Sequence, residues 1–386
     1  MLLFTRAIEG RIRESFFGGS MLIIFGPRQA GKTTLVKKLI VEFGDEGAYY
    51  DCEIAAVRDH FIVGNPDALL PLTQGKKVVV FDEAQTIQNI GTLLKVYHDT
   101  YPGTQIIATG SSSFDLANKI VEPMTGRAIE FTLLPLSLDE IASVKDVTRA
   151  DLDDLLLYGT YPRVVAAETV REKEEAIKAI GTNYLYKDVF VFEAIRNPKI
   201  FEDLVKALAL QVGSLVSLNE LAQTVGATRA TVQRYLRLLE QAYIVRRVHA
   251  FSNNPRTEIK KAFKVFFIDV GVRNALVDIM SPLGGRGDRG AIFENFVFDE
   301  TMKRGAREVF PPEIMFWRTR DGIEIDIIEK RGADISAYEC KWQQEEVSFA
   351  RFLSRYPKAR ASVVSPESLI ALYAKSAATM HLFDGR

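Results

Sequence analysis

Met21-Leu-Ile-Ile-Phe25-Gly26-Pro27-Arg28-Gln29-Ala30-Gly31-Lys32-Thr33-Thr34 is the stretch on which the fold reading turns. Five apolar residues, a glycine-bounded loop and a helix start follow one another, and the loop carries the GxxxxGK[ST] spacing. The glycines let backbone N–H groups fold around phosphate oxygens, and the helix N-terminus favours the same negative charge. Lys32 adds a point charge for the β and γ oxygens, and Thr33 adds a hydroxyl for magnesium. The candidate nucleotide-binding residues are therefore Gly26, Pro27, Arg28, Gln29, Ala30, Gly31, Lys32, Thr33 and Thr34.

A second apolar run, Val78-Val-Val-Phe81, ends in Asp82-Glu83. Asp82 would hold magnesium and Glu83 would orient or deprotonate the attacking water, which is the equipment of hydrolysis rather than storage. A third run, Gln105-Ile-Ile-Ala108, leads into Thr109-Gly110-Ser111-Ser112-Ser113, where a hydroxyl, Ser111 foremost, would sense the γ-phosphate. The same hydroxyls also suit a helix cap with Asp115. Arg127 is the candidate for stabilising transition-state charge, within its own chain or across a subunit interface. Short strands alternating with helix-like segments over residues 1–140 predict an α/β domain with a parallel sheet.

The 386 residues carry 49 basic and 50 acidic side chains, so a uniformly basic nucleic-acid coat and an acidic solvating tail are both excluded. Two cysteines and four dispersed histidines make neither a disulfide framework nor a zinc site, and a reducing cytoplasm is the expected location. Charged residues interrupt the apolar positions of the first 25 residues, and no apolar run approaches the roughly 18 residues of a membrane span. No membrane association is expected.

Residues 141–280 read as a helical middle. Within it, at about 200–270, Ser217 to Glu240 has the plan of a helix, a turn at Gly226 and a longer amphipathic helix. Ser217 with Glu220 suggests a capping box, and Leu221, Val225, Val232, Leu236 and Leu239 form the expected seam. Two strands, Tyr243 to Phe251 and Phe263 to Asp269, complete a winged-helix pattern. Between Thr228 and Lys264 stand nine Lys or Arg and two Glu, a local +7, which makes this patch the candidate DNA contact. Such modules also contact proteins, and Arg229, Arg234 and Arg237 equally suit the solvated side of any helix.

Ser281 to Gly290 carries four glycines and a proline and marks a crossing into residues 281–386. Glu294 lies near the start of a helix there. Glu324-Ile-Asp326 and, thirteen residues after Asp326, Glu339-Cys-Lys341 alternate so that each pair of charges shares a strand face. Asp326, Glu339 and Glu294 would ligate Mg2+ or Mn2+, with Lys341 steadying water or transition-state charge. An ordinary ion pair is the other use of Lys341.

The order GPRQAGKTT, VVVFDEAQ, TGSSSF, GR and LPLSLDE resembles bacterial and archaeal AAA-type ATPases related to the STAND ATPases. That resemblance implies ATP and magnesium, with Lys32, Thr33, Asp82 and Glu83 at the nucleotide, the TGSSS segment as sensor, and assembly into rings or dimers. Glu294, GIEID and ECK resemble the PD-(D/E)xK restriction-endonuclease superfamily, although Ile325 stands where the superfamily has proline. The whole order resembles a widespread prokaryotic family: a P-loop NTPase parallel sheet, a helical and winged-helix middle, and a restriction-endonuclease-like α/β domain. It implies a magnesium-dependent ATPase coupled to DNA binding and metal-dependent DNA cleavage. The alternative is an ATP-driven signalling switch or scaffold whose last two domains only bind protein or nucleic acid.

Overall fold

Five short strands, β1 (Met21–Phe25), β2 (Gly47–Asp51), β3 (Val78–Asp82), β4 (Gln105–Gly110) and β5 (Ala128–Thr132), form one sheet in the computed structural model. It describes residues 4–110, 126–183, 195, 197–251, 263–343 and 345–374. The strands pair in the order β2-β3-β4-β1-β5, and every pairing is parallel. β1 and β3 are buried at all five positions, as uninterrupted apolar strands covered on both faces must be. Alternation divides them between two cores: Ile23, Phe25, Val79 and Phe81 on one face, and Leu22, Ile24, Val78 and Val80 on the other. Because all five strands run the same way, the carboxyl ends of β1, β3 and β4 share one sheet edge. That edge is where an open parallel sheet receives its ligand. This architecture fits an N-terminal P-loop NTPase fold.

Among the described residues, contacts group those within 5–135 with 241–243 in one unit, and residue 4 with those within 136–240 and 244–374 in a second. Leu136 to Glu140, read from the sequence with the ATPase motifs, belongs to the second unit, where the backbone N–H of Leu138 donates to Glu300 at 2.8 Å. The stretch 281–290 also lies inside that unit rather than between units.

The second unit contains the helices Arg149–Tyr158, Val170–Asn183, Pro198–Leu210, Leu218–Thr224 and Arg229–Gln241. Leu221, Val225, Val232, Leu236 and Leu239 are buried along the last two. Ser217 stands at the N-cap position, but its side chain makes no cap hydrogen bond, so the expected capping box with Glu220 does not form. The working cap lies one helix later, where the backbone N–H of Thr231 donates to the hydroxyl of Thr228 at 3.1 Å. Strands β6 (Leu215–Val216), β7 (Val245–Val248) and β8 (Phe263–Phe267) form an antiparallel sheet in the order β6-β8-β7.

The remaining strands are β9 (Glu313–Arg318), β10 (Glu324–Arg331), β11 (Asp334–Cys340) and β12 (Arg360–Val364). They pair in the order β12-β11-β10-β9, with β12 parallel to β11 and the other pairings antiparallel. The register of β10 against β9 shifts between Ile325 and Ile328, an irregularity that spans Asp326. The helix Arg289–Gly305 buries Phe293, Phe296 and Val297. Among the described residues, no helix is long and apolar enough to cross a membrane.

Candidate functional site

The loop after β1 begins at Gly26, where the chain must pass close under the segment that follows β5. A Cβ at Gly26 would lie 2.0 Å from the carbonyl oxygen of Leu133, and φ is +150°, so glycine is required. Gly31, with φ +98°, turns the chain into the helix Lys32–Ile40. Lys32 is 4% exposed, and its ammonium donates to the carbonyls of Gly26 and Pro27 at 2.8 and 2.9 Å. The lysine is thus folded back over the loop that its charge serves. Pro27 and Ala30 are buried, Arg28 is half-buried, and Gln29 and Thr34 are exposed.

Asp82, at the end of β3, is 2% exposed and gathers three hydroxyls. Thr33 and Tyr49 each donate to its Oδ2 at 2.6 Å, and Thr109 donates to Oδ1. Thr109 also accepts from the backbone N–H of Glu83 at 3.1 Å, which fixes Glu83 at the strand end in a left-handed conformation. Burial, and then the bond to Asp82, push the Tyr49 hydroxyl well above its ordinary pKa, so it stays a donor at neutral pH. The threonine hydroxyl and carboxylate converge beside the lysine, and they are the donor set that a hard cation takes. Thr33 and Asp82 therefore fit magnesium.

The sequence reading missed Tyr49, whose only signal was its place on an unassigned strand. Thr109 stood in the quoted hydroxyl segment, but the weight fell on Ser111, which lies outside the described residues. Arg127 does not join this site. Met21 at the start of β1 pairs with Ala128, so Arg127 lies at the opposite sheet edge, about 16 Å of strand from the loop. There its guanidinium pairs with Asp99 at 2.8 Å.

A second group of charges lies in the other unit. The carboxylate of Asp326 accepts the backbone N–H of Cys340 at 2.8 Å, so β10 and β11 bring the two acidic segments together. Lys341 reaches Glu339 at 3.1 Å, while the other oxygen of Glu339, Oε2, is buried without a hydrogen-bond partner. Burial raises the pKa of both Asp326 and Glu339, and the Asp326 charge adds to the effect on Glu339. An acceptor left over in that position suits a cation, so Asp326 and Glu339 fit a metal ion.

Glu294 departs from the expectation. Its Oε1 accepts the ammonium of Lys264 at 2.7 Å, and Lys264 also pairs with Glu324 and stands 3.8 Å from Asp326. Burial and the neighbouring Asp326 charge raise the pKa of the Glu294 carboxyl, and the Lys264 ammonium opposes that rise. Among the described residues no group of three or more His, Cys, Asp and Glu side chains is arranged to hold a metal ion. The expected set of Glu294, Asp326 and Glu339 thus loses Glu294 to a lysine.

The same lysine corrects the basic patch. Lys264 is 2% exposed and neutralised by carboxylates, because every side chain of β8 is buried. Arg247 bonds to Glu240 at 2.8 Å. Arg229, Arg234, Arg237 and Arg246 remain exposed, while Arg256, Lys260 and Lys261 lie outside the described residues.

Residues 19–142 match the family model described as an AAA domain. Residues 149–283 and 289–380 match models described as domains of unknown function, DUF8612 and DUF4143. An uncharacterized protein of Mycobacterium tuberculosis is 26% identical over 344 residues, which cover 88% of this chain and 74% of that protein. One of Methanocaldococcus jannaschii is 24% identical over 377 residues, covering 92% and 82%. Among solved structures, the Hsp104–ADP complex of S. cerevisiae shares 11% identity at a TM-score of 0.31, covering 78% of this chain and 44% of that one. A score that low carries no weight for fold or function.

Proposed function

We propose that the chain is a magnesium-dependent ATPase that binds DNA and cuts it at a divalent-metal site in its C-terminal part, with nucleotide state licensing the cut. The observation that carries the ATPase half is the bond from Thr33 to Asp82 beside the buried ammonium of Lys32. The match of residues 19–142 to an AAA domain supports it. Bound magnesium would neutralise phosphate charge, and Thr33 and Asp82 would hold it. Lys32 would draw the γ-phosphoryl oxygens into the loop, and Glu83, its backbone fixed by Thr109, would accept the proton of the attacking water.

The cleavage half rests on Asp326, Glu339 and Lys341. The unsatisfied oxygen of Glu339 supports a cation there, and Lys341 would balance charge on the scissile phosphate. The division into residues 1–140, 141–280 and 281–386 belongs to the same proposal, and the matched segments 19–142, 149–283 and 289–380 support it.

The test is incubation with linear, circular and single-stranded DNA in Mg2+ or Mn2+, with and without ATP, beside Asp326→Ala protein. The expected result is cleavage by the unmutated chain alone. Absence of cleavage while ATP is hydrolysed would replace this reading with a switch or scaffold, in which ATP shifts a two-state equilibrium. One observation favours that second reading: Lys264 already neutralises part of the acidic cluster.

DNA contact is assigned to the exposed arginines of the helix Arg229–Gln241 and to Arg246. Arg234→Gln with Arg237→Gln is expected to weaken DNA binding and to flatten the slope of log affinity against log salt by about 0.9 per lost phosphate contact. An unchanged slope in a fluorescence-anisotropy titration would take that helix out of the DNA interface.

A further inference from the structure

Lys264 is a costly residue in its place. Moving an ammonium out of water costs several kcal/mol, and only close, well-aimed acceptors repay it. Glu294 from the helix Arg289–Gly305 and Glu324 from β10 do so here, and Asp326 of β10 stands 3.8 Å from the ammonium. The ring of Phe316 lies 5.5 Å from the ammonium and adds an aromatic face to its surroundings. The backbone makes room as well, because a Cβ at Gly213, where φ is +74°, would lie 2.9 Å from Oε2 of Glu294. Lys264 is anchored on β8, the central strand of its sheet, pairing with Leu215 on one side and Val248 on the other. Its charge is therefore delivered from a different sheet than the one bearing Glu324 and Asp326.

We propose that Lys264 is a positioning residue whose ammonium holds the place of a divalent cation between Glu294 and Glu324, beside Asp326, so that no metal ion enters between those two glutamates in the native chain. A hard divalent ion wants oxygen ligands at about 2.0–2.6 Å. Glu294 and Glu324 are already spent on an ammonium, and a metal entering between them would have to expel a buried lysine. The assignment concerns this pocket alone and does not depend on whether Asp326 and Glu339 support cleavage.

The experiment counts Mn2+ ions by electron paramagnetic resonance in nucleotide-free full-length protein. Lys264→Met keeps the apolar stem and removes the charge, which frees Glu294 and Glu324, the latter still paired with Arg318 at 2.6 Å, to close on a cation beside Asp326. It is expected to bind one more Mn2+ per chain than the unmutated protein, and the added ion should disappear in Lys264→Met with Glu294→Gln. Its thermal midpoint should rise with Mn2+ by more than that of the unmutated chain. Equal ion counts in folded Lys264→Met and unmutated protein would overturn the proposal. A variant that folds only when Mn2+ is supplied reads the same gain through stability, and one that stays unfolded with and without Mn2+ counts against it. Cleavage by the unmutated chain is scored separately, so failure of the nuclease reading leaves this count intact.

Discussion

Lys32→Ala protein is expected to keep its fold and to lose ATP turnover by about 10²–10³-fold, the usual cost of removing one aimed donor from developing charge. The ammonium of Lys32 donates to the loop carbonyls of Gly26 and Pro27 at 2.8 and 2.9 Å. These are neutral acceptors, and an anionic phosphate oxygen is a stronger one for the same donor. Alanine is a good helix former at the first turn, so the helix Lys32–Ile40 survives the change. The two neighbouring anchors are made by other side chains, since the hydroxyls of Thr33 and Thr109 donate to Asp82. Phosphate release under saturating ATP, with circular dichroism to verify the fold, checks the expectation. Undiminished turnover would remove the nucleotide assignment and with it the leading function.

The two candidate sites differ in how far the sequence displays them. Phosphate binding needs consecutive residues, a strand, a glycine loop and a helix start, so the local order of Gly26 to Thr34 carries its own meaning. Asp82 was legible for the same reason, as a carboxylate closing an apolar strand. Tyr49 was not, because its bond to Asp82 spans 33 residues and nothing near it in the chain marks it as polar machinery. For Arg127, motif order does not say at which end of a parallel strand a residue stands, whereas the β1–β5 register sets it away from the loop of its own chain.

Lys264 shows the limit of counting charges. A net of +7 over a segment treats a buried ammonium and a solvated guanidinium alike. The surrounding run Phe263-Lys-Val-Phe-Phe267 held the better signal, since alternation puts Lys264 on the same side as Phe266, which is fully buried. Its acceptors could not be named from that run, because Glu294, Glu324 and Asp326 arrive from elements 30 or more residues away. Short-range pattern thus locates an anomaly, and tertiary structure supplies its partners.

A second buried lysine carries the other large effect, on stability rather than chemistry. Lys303, in the helix Arg289–Gly305, bonds Asp299 at 2.6 Å, Glu300 at 3.1 Å, the hydroxyl of Thr160 at 2.8 Å and the carbonyl of Leu136 at 3.0 Å. Asp269 stands in the same cluster, accepting from Thr160 and capping the helix Val270–Leu276 through the N–H of Val272 at 3.0 Å. All these side chains are buried, and burial raises the pKa of Asp269, Asp299 and Glu300, with Lys303 opposing each shift. Lys303→Met keeps most of the volume and removes the ammonium that pairs with Asp299 and Glu300. Two carboxylates, a hydroxyl and a carbonyl then lose their common partner, Asp269 loses a neighbouring positive charge, and breaking a buried pair in this way costs about 3–5 kcal/mol. The pH dependence follows from the direction of the shifts. A carboxyl whose pKa is raised on folding binds more protons in the native state, so its stabilising contribution is present in acid and is lost as pH rises through the raised value. Without Lys303 those values rise further, and the deficit of Lys303→Met is expected to be small in acid and to grow towards neutral pH. Urea unfolding of both proteins at acid and neutral pH checks the magnitude and the sign, and a deficit that is equal at both would show that the carboxylates do not depend on Lys303.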